Sequence, residues 1–208
     1  MLRILRPAIS RTTRPIGRGL ARIGVTANMV TLVGTAGVVA SSLYFLPRGE
    51  LFPGAVAITV FVLFDMLDGA VARAAGFESK WGAFLDSTLD RLADAAILVG
   101  LAVWFYGKAD EPLLGGLALF CLVAGFGVSY IKARAEGLGV NCDVGLAERT
   151  ERLIVILVST GLAGLEVPYA QAAGLWLLAA LSAITIVQRM VETRARLTEP
   201  GSRSREYS

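Results

Sequence analysis

The chain of 208 residues has no histidine, only two cysteines and few charges: 18% of its residues are Asp, Glu, Lys or Arg, against about 25% in an ordinary soluble domain. Without histidine, zinc–histidine catalysis, a Ser-His-Asp triad and phosphohistidine chemistry are excluded. Cys121 lies in an apolar run and Cys142 in a loop, without metal-ligand spacing, so no disulfide framework is expected. The arginine-rich start is not followed by a compact apolar stretch with a small-residue cleavage site, so it does not read as a signal peptide. With 55% apolar residues and a mean hydropathy of +0.63, the chain is not disordered, not a nucleic-acid module and not an ordinary soluble enzyme. It reads as an integral membrane protein.

A helix needs about 20 apolar residues to cross a bilayer. Six stretches qualify: Asn28 to Leu46, Phe52 to Ala72, Trp81 to Tyr106, Leu113 to Ile131, Leu153 to Leu165 (short, with a start as early as Leu146) and Tyr169 to Gln188. Pro47, Gly49, Pro53, Gly107, Pro112 and Pro168 fall where turns are needed. There is no internal repeat and no separate soluble domain. The expected fold class is therefore an all-α integral membrane protein with six transmembrane helices. Trp81, Trp104 and Tyr106 read as interface anchors of the third span, and Trp176 as packing or lipid contact.

The basic residues set the orientation. Arg3, Arg6, Arg11, Arg14, Arg18 and Arg22 precede the first span, and Arg73 and Lys80 lie between the second and third. Lys132, Arg134, Arg149 and Arg152 lie between the fourth and fifth, and Arg189, Arg194, Arg196, Arg203 and Arg205 follow the sixth. Only Arg48 and Lys108 fall on the other side, with Arg91 inside a span. The positive-inside rule then puts both termini in the cytoplasm of a multi-pass cell-membrane protein. Residues 1–24 interleave Leu2, Leu5, Ile9, Ile16, Leu20 and Ile23 with arginines, as an interfacial amphipathic helix would, although Pro7 and Pro15 break any single long helix. A disordered basic arm is the alternative. Residues 25–192 form the expected membrane domain, and residues 193–208 a polar tail.

The chemistry lies where the second span ends and the third begins. Asp65 and Asp68 are spaced i,i+3, and Asp86 and Asp90 are spaced i,i+4, so each pair is expected on one face of its helix near the cytoplasmic surface. One charge at the bilayer centre costs at least about 2.5–3.5 kcal/mol, so four clustered carboxylates need protonation, pairing with Arg73 and Arg91, or hard cations. Two divalent ions would neutralise all four, and oxygen-only ligands select Mg²⁺, Mn²⁺ or Ca²⁺ over zinc. Gly69 and Gly82 beside the acids suggest a close approach of ligand to backbone. An Asp/Arg network tying helices together, and glycines that merely let helices pack, are the blander readings. A divalent-cation transporter using the same acids is the rival from another class. It usually shows repeats and mid-membrane broken helices, whereas here the acids sit at one end.

The pattern Asp65-x-x-Asp68-Gly69-x-x-Ala72-Arg73-x8-Gly82-x3-Asp86-x3-Asp90 resembles, at every position, the signature of the CDP-alcohol phosphotransferase family. The resemblance implies an enzyme that displaces CMP from a CDP-linked donor by an acceptor hydroxyl. It implies that Asp65, Asp68, Asp86 and Asp90 hold a pair of Mg²⁺ ions, with Mn²⁺ possible, and that Asp90 is also the general base. It further implies that Gly69, Arg73 and Ser79, with the Asn28-Met29-Val30-Thr31 element, contact the CDP donor. Taken alone, Asn28 or Thr31 would be an ordinary helix cap. Asp94 continues the row after Asp90 and is left outside the site as a pairing residue for Arg91 or a polar neighbour.

Ser129 and Lys132, and Arg149 and Arg152, are each spaced i,i+3 near cytoplasmic span ends and could hold a phosphate by charge-assisted hydrogen bonds. The segments from Ser129 to Glu136 and from Gly145 to Arg152 look most like the actinobacterial phosphatidylinositol phosphate synthase branch of the family. That resemblance implies CDP-diacylglycerol as donor, inositol 1-phosphate as acceptor, and Ser129, Lys132, Arg152 and Arg189 as the acceptor-phosphate pocket. Arg189 has no spacing check on the last span. Glycerol 3-phosphate, giving phosphatidylglycerol phosphate, is the alternative acceptor and needs the same basic pocket. No glycines are spaced i,i+4, so there is no GxxxG signal. The resemblance implies a homodimer, and no nucleic-acid partner is expected.

Overall fold

A computed structural model describes residues 19, 22–75, 79–146 and 148–198, the side chains of residues 73–75 excepted. The expected interfacial helix therefore falls almost wholly outside the described residues, as do Arg73's side chain and the tail beyond Thr198. The described elements are α1 (Ala27–Phe45), a 3₁₀ turn (Leu46–Arg48), α2 (Leu51–Asp65), α3 (Asp68–Ala75), α4 (Lys80–Tyr106), α5 (Pro112–Gly137), α6 (Arg149–Gly164) and α7 (Ala170–Thr198). There is no strand among the described residues.

All six expected stretches are mainly helical, the second being interrupted at Met66 and Leu67. Four segments, Ala27–Arg48, Leu51–Ala72, Pro112–Gly137 and Ala170–Thr198, are long and apolar enough to cross a membrane. The two others differ for visible reasons. Helix α4 has 27 residues but carries Asp86, Asp90, Arg91 and Asp94. Helix α6 has 16 residues and, at 1.5 Å rise, is about 24 Å long, less than the roughly 30 Å hydrocarbon core. It starts at Arg149, between the two expected starts, Leu146 and Leu153.

The chain forms two compact units, residues 1–100 and 101–208, with the boundary inside α4. In the first, α1 packs on α2 and α3. Thr26 caps α1 by accepting from Met29 N–H at 3.3 Å, so the cap is two residues before Asn28. Pro47 and Gly49, whose φ of 79° only glycine adopts cheaply, turn the chain into α2. Val30, Val38, Leu46, Ile58, Val71 and Ile97 are buried there. The helices approach closely at small residues: a Cβ on Gly37 would lie 2.1 Å from the Phe61 ring, and one on Gly100 would lie 2.7 Å from the Ser42 carbonyl.

In the second unit, α7 packs on both α5 and α6. Pro112 opens α5, where a missing N–H costs nothing. Gly174 meets Ser159 closely, and Leu175, Leu178 and Ala179 fill the core beside it. After α5 the chain folds back on α7 at Cys142, Val144 and Gly145. Cys142 is fully buried, with Thr193 Oγ1 3.6 Å from its sulfur, and both cysteines are free.

Candidate active site

The first group of functional side chains depends on a break in the second apolar stretch. The Asp65/Asp68 spacing predicts one helical face, but α2 ends at Asp65 and α3 begins at Asp68. In the turn between them, Leu67 N–H donates to Phe64 O at 3.0 Å, an i−3 partner in place of the helical i−4. The α-helical hydrogen-bond ladder is interrupted at that point, and only one of the two carboxylates enters the acidic cluster. Asp65 joins Asp86 and Asp90, which do share a face of α4 as expected. Each of the three can offer a carboxylate oxygen within 4.8 Å of the other two. Asp68 stands outside this trio: its Oδ2 accepts from Thr31 Oγ1 at 3.1 Å, and its Oδ1 accepts from Gly69 N–H.

At such separations, each pair of ionised carboxylates repels by roughly 3 kcal/mol for an effective dielectric near 20. Arg91 offsets part of this, 3.6 Å from Asp90 Oδ2. A half-buried, oxygen-only trio fits a hard divalent cation, and the chain has no histidine to make it fit zinc.

Asp65 is placed by a glycine that sequence reasoning did not single out. A Cβ on Gly34 would lie 2.9 Å from Asp65 Cβ and 3.2 Å from its Cα, so only glycine lets α1 come this close to the end of α2. The available signal was the position of Gly34, three residues after Thr31 and on the same helical face.

Next to Asp68 a cavity of about 620 Å³ opens, lined among others by Asn28, Thr31, Gly69, Ser79, Gly82 and Asp86. Thr31 is nearly fully buried and its hydroxyl reaches both Ala27 O and Asp68. Met29, half exposed, and Val30, buried in the core, do not line the cavity. Ser79 caps α4, its Oγ accepting from Gly82 N–H at 2.9 Å. A Cβ on Gly82 would meet Ser79 Oγ at 3.0 Å and Asn28 Oδ1 at 3.1 Å, which narrows this wall of the cavity to bare backbone.

The second unit gathers the basic residues along one stretch of α5. Arg152 is buried and donates to Gly125 O at 3.3 Å, the same carbonyl that accepts from Ser129 Oγ at 3.0 Å. Arg189, also buried, donates from NH1 to Val128 O at 2.6 Å and from Nε to Val144 O at 2.9 Å. Lys132 follows one turn later on α5 and donates to Asp143 Oδ1 at 2.7 Å, with Glu136 Oε1 at 3.7 Å. Residues 125, 128, 129 and 132 share one helical face, so the four expected phosphate ligands are brought together. Asp143 was not foreseen: a single acid in a polar loop has no pattern that marks it.

The sequence model of the family described as CDP-alcohol phosphatidyltransferase matches residues 24–189. The phosphatidylinositol phosphate synthase of Streptomyces avermitilis is 47% identical over 201 residues, covering 93% of this chain and 82% of that one. That of Mycobacterium tuberculosis is 47% identical over 189 residues, covering 89% and 87%. The crystal structure of the Mycobacterium tuberculosis enzyme with CDP-DAG bound superposes with a TM-score of 0.86 at 45% identity, over 94% of this chain and 98% of that one. The same enzyme in complex with manganese and citrate gives 0.85 at 45% identity, over 93% and 92%. With the whole Asp signature present and the match running from Gly24 to Arg189, the chain belongs to the CDP-alcohol phosphatidyltransferase family of transferases.

Proposed function

We propose that the protein is a phosphatidylinositol phosphate synthase, transferring the phosphatidyl group of CDP-diacylglycerol to a hydroxyl of inositol 1-phosphate with release of CMP. The observation that carries this reading is the convergence of Asp65, Asp86 and Asp90 in the same unit as a cavity lined by Asn28, Thr31, Asp68, Gly69 and Ser79. The relatives named phosphatidylinositol phosphate synthase, one of them solved both with CDP-DAG and with manganese and citrate, support the same donor and metal class.

Asp65, Asp68, Asp86 and Asp90 would hold the divalent ions, Mg²⁺ or Mn²⁺. Bound there, the ions supply neutralisation of charge developing on the pyrophosphate oxygens. The chain's own residues do the rest. Asn28, Thr31, Gly69, Arg73 and Ser79 bind and orient the CDP portion. Thr31, by donating to Asp68, fixes that carboxylate against the cavity wall. Asp90 takes the proton of the acceptor hydroxyl as its oxygen bonds to the phosphorus that carries diacylglycerol. The bond from that phosphorus to the bridging oxygen breaks, and CMP leaves with the electron pair. Ser129, Lys132, Arg152 and Arg189 hold the acceptor's phosphate. Arg189, buried and donating to the carbonyls of Val128 and Val144, brings a positive charge to such a dianion.

The same reading includes six spans, with α4 and α6 crossing beside the four apolar segments. Both termini and the site face the cytoplasm of the cell membrane, residues 1–24 lie at its surface, and the protein is a homodimer. The arginine and lysine distribution supports the orientation. The test is CMP release from CDP-diacylglycerol by purified protein with Mg²⁺, comparing inositol 1-phosphate, glycerol 3-phosphate, inositol and serine. Turnover with inositol 1-phosphate alone is expected. Turnover only with glycerol 3-phosphate moves the protein to a phosphatidylglycerol phosphate synthase with the same machinery. Silence with all four in folded protein overturns the enzyme reading in favour of cation transport.

A further inference from the structure

Lys132 is already occupied by an anion of the chain itself. Asp143 Oδ1 lies 2.7 Å from its ammonium, the distance a bound phosphate oxygen would take. The loop that carries Asp143 does not depend on this ion pair for its position. The residue before it, Cys142, is fully buried against α7, and the residue after it, Val144, accepts from Arg189 Nε at 2.9 Å. Gly145, at φ 139°, packs so closely on Thr185 that a Cβ would come within 2.6 Å. Asp143 is thus presented from a loop fixed on both sides. The pair itself is open to water, with Lys132 37% and Asp143 52% exposed, so it is cheap to break.

We propose that Asp143 is an internal counter-ion that competes with the acceptor's phosphate for Lys132, and so sets the affinity of the basic pocket for phosphates. An anion with few contacts, such as inorganic phosphate, gains little by displacing Asp143. An organic phosphate, held by the same Ser129, Arg152 and Arg189 and by further contacts of its organic part, displaces it readily. One of the pocket's three positive charges is thus offset when the pocket is empty, which weakens its hold on free phosphate. Asp143 acts through Lys132 and touches no reacting atom, so it is a positioning residue. This inference rests on the reading of Lys132 as a phosphate ligand.

The test uses the full chain with Asp143→Asn and Asp143→Glu, each first shown to keep the wild-type melting temperature within a few degrees. The apparent Kd for inorganic phosphate is read from thermal shift, and KM and kcat for inositol 1-phosphate from CMP release. In Asp143→Asn, phosphate affinity should rise about three- to fivefold, the size expected for removing one solvent-exposed charge partner. The acceptor KM should fall while kcat moves less than KM, and Asp143→Glu should restore wild-type values. In a Lys132→Gln background, Asp143→Asn should have no such effect. Phosphate affinity that is unchanged or weaker in folded Asp143→Asn overturns the proposal, as does the full gain persisting without Lys132. Tighter phosphate binding without any turnover of inositol 1-phosphate upholds the counter-ion and rejects the acceptor assignment instead.

Discussion

Alanine at position 34 would put a methyl carbon 2.9 Å from Asp65 Cβ, 3.0 Å from its Oδ1 and 3.2 Å from its Cα. Carbon atoms rest at about 3.5–4.0 Å, so Asp65 must retreat by roughly 0.5–1 Å. Because its Cα is among the crowded atoms, a change of side-chain rotamer does not relieve the contact. The end of α2 has to move, and Asp65 moves with it away from Asp86 and Asp90 on α4. Overpacking of this kind costs about 1–3 kcal/mol of stability, and a misplacement near 1 Å costs up to about 10²-fold in rate. Gly34→Ala should therefore lose about 10- to 100-fold in kcat and need a higher Mg²⁺ concentration for half-maximal CMP release. Gly37→Ala is the control. Its Cβ would strike the Phe61 ring at 2.1 Å, a side chain partly exposed and able to swing, so it should lower the melting temperature and leave the Mg²⁺ requirement alone. The reasoning is refuted if Gly34→Ala keeps the wild-type kcat and Mg²⁺ dependence, or if Gly37→Ala reproduces both catalytic losses.

Asp90→Asn should fold and keep some metal binding while turnover falls by at least about 10²-fold, as loss of a general base does; wild-type rates would remove Asp90 from that role. Lys132→Ala and Arg152→Ala should raise the acceptor KM more than the donor KM, and equal effects on the two would argue against a phosphate pocket there. Thr31→Val removes a hydroxyl donated to a carboxylate, a bond worth about 1.5–3 kcal/mol, so the donor kcat/KM should fall by about tenfold or more with the acceptor KM little changed. EDTA should abolish CMP release, Mg²⁺ or Mn²⁺ should restore it, and Zn²⁺ should do so poorly; restoration by Zn²⁺ alone would contradict an oxygen-only site.

Most of the helices could be read from the lengths of apolar runs and the Pro and Gly residues between them. The start of the short α6 could be read only as lying between Leu146 and Leu153, because its first turn, Arg149 to Arg152, is charged and carries no hydropathy signal. The break between Asp65 and Asp68 was not legible. Met66 and Leu67 are good helix formers, and nothing local distinguishes an i−3 hydrogen bond from an i−4 one. The turn is set by packing, with Gly34 admitting Asp65 and Thr31 drawing Asp68 away. Neither Asn28 nor Thr31 caps α1, a role that Thr26 takes, and both line the cavity. Arg189 was reached only through the family resemblance. Its partners, the carbonyls of Val128 and Val144, lie far away in sequence.

The interruption at Met66 and Leu67 also has an electrical meaning. Peptide dipoles run head to tail, so a helix is negative at its C-terminus and positive at its N-terminus. One uninterrupted helix would have kept both poles away from the acids. Cutting it in two sets the negative pole of α2 at Asp65, among carboxylates that already favour a cation, and the positive pole of α3 at Asp68, whose carboxylate accepts from Gly69 N–H. Within four residues the backbone itself changes sign, from negative beside the carboxylate trio to positive beside the cavity lined by Asp68 and Gly69.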